Sequence, residues 1–539
     1  MLSLNRHFVS GLAFILVLAL SPVGAETLKW ARSSDATTLD PHLADNAVGI
    51  NLLHQLYEPL ILRHPDGRLI PALATAWRQD STDARNWEFD LRADVTFHNG
   101  EKLTRADVIF SLERARTSSS YLNSILSRMR SVKPAGNDKT IVIQTTNPDP
   151  VFPNKLADVF IMNASWAAAH HIEHADKKLM GNGSNYAAIN ENGTGPYRIL
   201  SREPDQKTVL TSYPGYWGAS SAPQDIDRIE FLPIKNAATR VAALLSGEID
   251  FVQDVSSQDV ERLQRNANIR VNSGVENRIV FLGFNTGAKF LKSSNIKDRN
   301  PFSDYRVRQA VGLALDRDLI KKTLMRGLSR PAGILALPQW FGYAPALDVY
   351  PRQANLNAAR ALLKSAGYEQ GFKVTLDCPN DRLLNDEALC NSLANALSRI
   401  GIKAVPRARP FAIYFPALNA GESDLYLASN GNPIYDSTFF LERLVHTKVV
   451  GATGLGAVNT AGFSDPSIDQ KIAGLATLNR LELRAAALRS IWKSVDELAV
   501  YIPLHQQILS YAMNRRFDIK VAPTAFTLFK FEKTQGKGH

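Results

Sequence analysis

The stretch Asn86–Ala115 carries two different periodicities back to back, so a fold that contains it has to offer both a half-buried sheet and a helix beside it. Trp87, Phe89 and Leu91 alternate with Glu88, Asp90 and Arg92, the period-2 pattern of a strand with one buried face. Asn99-Gly100 follows as a turn signal, because both residues tolerate positive φ. Thr104 and Asp107 have the spacing of a capping box, with Asp in place of the usual Glu or Gln. Val108, Ile109, Phe110 and Leu112 then read as an amphipathic helix.

The same alternation of patterns recurs along the chain. Leu28–Ala31 reads as a first strand, Thr37–His42 as the loop leaving it, and Leu52, Leu53, Leu56, Tyr57 and Leu60 as helical spacing. Thr140–Gln144 and Arg228–Ile234 read as strands, and Gly193–Pro196 is a turn entering a strand at Arg198–Leu200. Asn236 and Gly247 bracket a helix at Ala237–Leu245 as its N-cap and C-terminal stop. Ile279–Asn285 is a near-continuous apolar run, the pattern of a strand buried on both faces, and Tyr305–Leu315 reads as a helix. From Asn357 to Ile402 the chain alternates helix, strand and helix. Asp424–Ala428 adds another strand and Ser429–Asp436 the loop after it, which predicts a parallel βαβ-type sheet. Loops beyond the carboxyl ends of such strands are where α/β sheets hold ligands. A long helix is predicted over Arg480–Leu498 and a returning strand over Tyr501–Gln506. At 539 residues the chain exceeds what one core supports, so two or three domains are expected.

Charge excludes one partner class. The net charge of +10 is dispersed, with none of the basic runs that mark a nucleic-acid arm, so no nucleic-acid partner is expected. The N-terminus has the build of a secretory signal: Arg6 and His7, an apolar stretch from Phe8 to Leu20, and Val23-Gly24-Ala25 as a small-x-small cleavage site. That stretch is too short to span a membrane. No cysteine near Ala25 offers a bacterial lipid anchor. A mature protein free in the periplasm is therefore expected. In that oxidising space the only two cysteines, Cys378 and Cys390, are expected to form a disulfide rather than remain two buried thiols. On the loop-entropy model such a bond stabilises by roughly 3 kcal/mol.

A catalytic set is harder to find. There is no G-x-S-x-G elbow, no S-x-x-K signature and no cysteine in a nucleophile's setting. His170-His171-Ile172-Glu173-His174 fits the H-x-x-E-H spacing of some zinc peptidases. On a helix His170 and His174 would share a face. The competing reading is a polar surface helix. The glycine-rich Asn192–Tyr197 lacks the residues of a phosphate-binding loop and runs into a strand, not a helix.

As a string of words the sequence is more specific. Phe97-His98-Asn99-Gly100-Glu101, then Leu103-Thr104 and Ala106-Asp107-Val108, resembles the signature segment of extracytoplasmic solute-binding proteins of the peptide, dipeptide, oligopeptide and nickel transporter class. Thr38-Leu39-Asp40-Pro41-His42, Leu56–Ile61, Gly193-Thr194-Gly195-Pro196-Tyr197, Tyr216-Trp217-Gly218 and Ser246–Asp250 follow in that family's order. The resemblance covers about Thr27 to about Gln507. It implies a fold in the α/β class, of periplasmic-binding-protein type II kind: two lobes with mixed sheets, an extra subdomain and a hinge. The expected division is a signal peptide over 1–25; a first lobe over 26–57, 190–275 and 490–539; an extra subdomain over 58–189; and a second lobe over 276–489. It implies a monomer that needs no cofactor. Such a protein captures a peptide or peptide-like solute in the interlobe cleft and delivers it to a membrane permease–ATPase complex. A non-peptide polar metabolite, such as an opine-like conjugate or less readily nickel or haem, is the alternative cargo. An exported metal-dependent hydrolase is the remote one.

Carried over residue by residue, the resemblance places Arg382 where dipeptide-binding relatives grip a peptide carboxylate with a planar guanidinium. The alternative is a surface Arg paired with Asp381 or Asp386. Relatives carry an aromatic and an amine-holding Asp in the next loop. Here that loop contains Asn430, Gly431, Asn432, Tyr435 and Asp436, and Asp436 is its only carboxylate. Asp436 either holds a cation or caps the following helix. From the first lobe, Asp45 and Asn46 lie in the segment that faces the cleft in relatives. No metal site is expected.

Overall fold

The computed structural model describes residues 26–44, 46–179, 185–220, 225–449 and 454–523. The expected signal peptide and Asp45 lie outside the described residues. The fold is organised by two long antiparallel strands, Ile269–Phe284 and Ile502–Asn514, which pair along most of their length. Each is long enough to belong to two sheet regions at once. Their first-region ends lead to Phe251–Val252, then to Thr27–Arg32, Arg228–Pro233, Lys207–Ser212 and Tyr197–Glu203. On the other side Ile269–Phe284 pairs antiparallel with Leu425–Gly431. That strand is followed by Phe372–Pro379 and Ile402–Arg409, joined by parallel pairing. The sheet is therefore mixed. The helix Asp386–Ser398 is the crossover that makes its outer pair parallel.

Burial follows from side-chain alternation. Val280, Leu282 and Phe284 point into one core, with Leu376, Leu393 and Leu425. Ile279 and Phe281 point into another, with Trp340, Leu441 and Trp492. This is the two-faced burial that the apolar run predicts. In the first region Trp30 packs edge-on against Phe231 at 4.9 Å. The helix Leu481–Glu497 sends Leu488, Ile491 and Trp492 into the second region's core. The chain then enters the strand Ile502–Asn514, which pairs with Phe251–Val252 of the first region.

Residues 58–189 include a separate antiparallel sheet, ordered Ala74–Gln79, Asn86–Leu91, Thr140–Thr145, Met129–Ala135. Trp87, Phe89 and Leu91 lie on its buried face beneath Val108 and Leu112. The capping box is formed: Thr104 accepts from the Asp107 N–H, and Asp107 accepts from the Thr104 N–H at 2.8 Å. Past it, the motif words meet at one junction. His98 sits between the Glu191 carboxylate at 2.7 Å and the Gly195 carbonyl at 3.0 Å. Glu58 accepts from Thr194, Tyr216 and the Trp217 indole. Asp40 forms a fully buried ion pair with Arg114 at 2.6 Å and accepts from Asn185. A Cβ at Gly193 would fall 1.9 Å from the Leu56 carbonyl, so only glycine allows this close approach. The words that carry the resemblance fasten the extra sheet to the first region.

One sequence reading fails. The helix Ala164–Ala169 stops before the H-x-x-E-H stretch, and His171 adopts a positive φ of 54°. His170 stacks flat on Tyr186 at 3.9 Å. With the helix ended, His170 and His174 share no face, and the metallopeptidase geometry does not form. Among the described residues no group of three His, Cys, Asp or Glu side chains is placed to hold a metal ion. No described helix is long and apolar enough to cross a membrane.

Candidate ligand-binding site

Where the two long strands cross between regions, their ladder breaks. Val275 pairs with Ile508 and Ile279 with Gln506, so Glu276, Asn277 and Arg278 bulge out opposite one residue. The bulge borders a cavity of about 490 Å³, bounded also by the loop after Phe372–Pro379, the helix Phe411–Asn419 and the end of Leu425–Gly431. This volume suits a small organic ligand. Its position outside the carboxyl ends of parallel strands is the usual one for α/β sheets.

One wall is apolar, formed by Phe281, Phe411, Tyr414, Phe415 and Tyr426. The Tyr414 hydroxyl is spent on the Leu427 carbonyl at 2.7 Å, so its ring, not its polar tip, meets the space. The polar wall is cationic. Arg278 donates from Nε to Glu276 at 2.9 Å and from Nη1 to Ser429 at 3.3 Å. Glu276 also accepts from Gln507 at 2.7 Å. Asn277 donates to the Asn432 carbonyl at 2.7 Å and accepts from the Trp340 indole.

Arg382 stands exposed at the rim, its guanidinium 5.1 Å over the Phe411 ring. Neither expected acidic partner takes that guanidinium. Asp386 instead accepts from the backbone N–H groups of Arg382 and Leu383, at 2.9 and 3.1 Å, and Asp381 accepts from the Phe411 N–H. The guanidinium has no hydrogen bond to any described residue. The positive charge of Arg278, and secondarily partial removal from water, lower its pKa to about 10. The loop is held from behind: Leu384 donates to Gln507, and Asn385, at φ 56°, donates to Ser257 and the Leu324 carbonyl. Cys378 and Cys390, which flank it, are joined by a disulfide with Cα atoms 6.2 Å apart.

The remaining sequence candidates divide. Asn430, Gly431 and Asn432 line the cavity, Gly431 directly opposite Arg278 in the ladder. Asn432 is fully buried, with its amide donating to the Asp436 carbonyl. Tyr435 turns away at φ 53°, and its ring lies 4.6 Å beneath Arg63 of the extra sheet's region. Asp436 is not among the residues that line this cavity: it is buried, paired with Arg484 at 3.0 Å, and caps the Thr438 N–H at 2.8 Å. A buried Arg484 demands that charge, which leaves none for a ligand. Asn46 caps the helix Ala47–Leu56 by accepting from Gly49 at 2.7 Å, and does not border the cavity. Sequence reading missed Glu276, Arg278 and the Phe411–Phe415 face. The charged residues Glu276 and Arg278, just before the apolar run from Ile279, were the available signal for the bulge.

Among the described residues that line it, the cavity offers cations, amides and ring faces. Comparisons with known proteins agree with a binding site. Residues 68–451 match the family model described as bacterial extracellular solute-binding proteins, family 5 middle. A glutathione-binding protein of Pectobacterium atrosepticum is 25% identical over 553 residues, covering 98% of each chain. The periplasmic oligopeptide-binding protein of Escherichia coli is 24% identical over 516 residues, 90% of this chain and 87% of that one. Among solved structures, a periplasmic binding protein of Helicobacter pylori in complex with the peptide STSA superposes with a TM-score of 0.75 at 23% identity, over 94% of this chain and 98% of that one. A binding protein of A. tumefaciens R10 in complex with agropinic acid gives 0.73 at 23% identity, over 94% and 99%. The fold is that of type II periplasmic binding proteins. With a family model matched across most of the described chain and a ligand-sized cavity at the strand crossing, this protein belongs to the bacterial extracellular solute-binding proteins of family 5.

Proposed function

We propose that this protein is the periplasmic capture component of an ATP-driven importer. It takes a peptide or peptide-like solute into the cavity at the strand crossing, with a ligand carboxylate on Arg382, and hands it unaltered to a membrane permease–ATPase complex. The observation that carries this reading is the Arg382 guanidinium, held at the cavity rim over Phe411 without a described hydrogen-bonding partner. A planar, uncommitted fork of donors matches a carboxylate. The names of the relatives support peptide-class cargo, and the agropinic acid complex supports a non-peptide cargo on the same fold. The second cargo class draws separate support from Asp436, whose commitment to Arg484 leaves the loop without a carboxylate for a peptide amine. In this role the protein acts as an exported monomer and carries no cofactor.

Native mass spectrometry of the protein purified from its own periplasm tests the reading, followed by a thermal-shift screen of peptides and polar metabolites. A retained or stabilising solute, recovered chemically unchanged, is the expected result, because ligands that bind only the folded state raise its melting temperature. Cleavage of added peptides by the pure protein would overturn it.

A further inference from the structure

Two guanidiniums face the cavity at its bulge end, and among the described residues only that of Arg278 is hydrogen-bonded to a carboxylate. Arg278 is paired with Glu276, and its Nη2 is left over among the described bonds. The Arg382 guanidinium has no described hydrogen bond, and Arg278 is the main cause of its lowered pKa. Two like charges brought together raise the free energy of the site unless an anion comes between them. The neighbouring carboxylates are occupied. Glu276 serves Arg278 and Gln507, Asp381 accepts from the Phe411 N–H, and Asp386 caps the loop backbone. Asp436 lies buried against Arg484. An ammonium group entering here would meet two guanidiniums, and the one carboxylate among the described lining residues, Glu276, is already paired. Beyond the two cations, Phe411, Phe415 and Tyr414 offer ring faces and Leu418 an aliphatic one.

The geometry points to a specific ligand class, an inference that rests on the proposed capture role. The ligand carries two negative charges at one end, shared between Arg278 and Arg382, an apolar or aromatic body against the Phe411 helix, and no free amine. An N-blocked dipeptide ending in an acidic residue, or a dicarboxylate conjugate of similar size, has this chemistry. Arg278 is thereby the residue that sets specificity for the second charge, and the bulge is what aims it.

Isothermal titration of the mature protein with four probes separates the outcomes: N-acetyl-Phe-Asp, N-acetyl-Phe-Asn, and the same two dipeptides with free amines. N-acetyl-Phe-Asp should bind tightest, at least about tenfold over N-acetyl-Phe-Asn, the scale of one extra charge-assisted contact. Arg278→Gln should weaken N-acetyl-Phe-Asp by at least about tenfold and so abolish that preference, with a smaller loss for N-acetyl-Phe-Asn. Arg382→Gln, which removes no described protein hydrogen bond, should weaken both acetylated probes. It also guards against a folding defect from freeing Glu276. Equal or tighter binding of the free-amine dipeptides, with Arg278→Gln indifferent, would overturn the inference and leave the capture role standing. So would a co-purifying ligand that is neutral, cationic or singly charged, whereas a co-purifying N-blocked dianion would support it. If no probe binds and the protein from its own periplasm carries no small molecule, the capture role falls and the inference with it.

Discussion

Glu58 shows how a motif residue can be structural and still leave a functional trace. It is 2% exposed, and burial raises its pKa to about 7 against the pull of the Trp217, Thr194 and Tyr216 donors. A carboxyl with a folded pKa above its unfolded value binds more protons when folded, so stability falls as pH rises from the unfolded value to the folded one. Stability is thus expected to decline between about pH 4.5 and pH 7 and then level off, by on the order of 3 kcal/mol from this group. Glu58→Gln should remove that slope, which chemical denaturation across this range measures; an unchanged slope would assign it elsewhere. Arg382 is the opposite case, a residue with little to lose structurally. Arg382→Ala should cost a carboxylate ligand about 2–5 kcal/mol of binding with little change in melting temperature, and titration calorimetry beside thermal denaturation separates the two.

At the level of elements, the joints matter more than the strands and helices they join. The helix Arg105–Arg116 is tied to the first region by Arg114, which donates to Asp40 and to the Ile172 carbonyl. Both side chains of the ion pair are fully buried, so removing one leaves the other charged and unsolvated. Arg114→Met should destabilise by about 3–5 kcal/mol, while replacing both partners with apolar residues should recover much of that loss. The disulfide acts on another joint. It links the strand Phe372–Pro379 to the helix Asp386–Ser398 and closes the loop that presents Arg382. Reduction should lower stability by roughly 3 kcal/mol and weaken ligand binding as well. Melting and titration with and without reductant test both effects. Arg308, on the helix Tyr305–Leu313, shows the same economy: it donates to the Leu498 and Ala499 carbonyls at the end of the long helix Leu481–Glu497.

Across the whole molecule, the extra sheet's region touches the second region through polar and ring contacts that include three at one segment. Arg128 pairs with Glu442 at 2.6 Å, Arg443 donates to Ser124 at 2.7 Å, and Arg63 lies over Tyr435. All three engage one segment, from Tyr435 to the single turn of π-helix Leu441–Val445. Opening the cleft about the crossing strands has to break them. Glu442→Gln should therefore shift the protein toward its open form and lower ligand affinity by about 2- to 5-fold, on the scale of one partly exposed ion pair. Small-angle scattering should show a larger radius of gyration for the ligand-free variant and the same value as the parent when saturated. Equal affinities would mean that these contacts do not bias closure.

Local sequence was enough for what depends on local pattern. The alternation of Trp87, Phe89 and Leu91, the Thr104–Asp107 box, the Asn236 and Gly247 caps and the two-faced run from Ile279 all form as written, because period and capping chemistry act within a few residues. The motif words placed the chain in its family. What sequence could not decide was which polar groups remain free. Asp436 and Arg382 look alike in a string, each a charge in a loop after a strand. Tertiary packing brings Arg484 from a distant helix to bury the one, and turns Asp381 and Asp386 toward backbone donors so that the other stays open. The break between Val275 and Ile279 arises from the pairing of two strands far apart in the chain, and it brings Arg278 to the cavity beside Arg382. Charge commitment is set by contacts between segments distant in sequence, which no local period records.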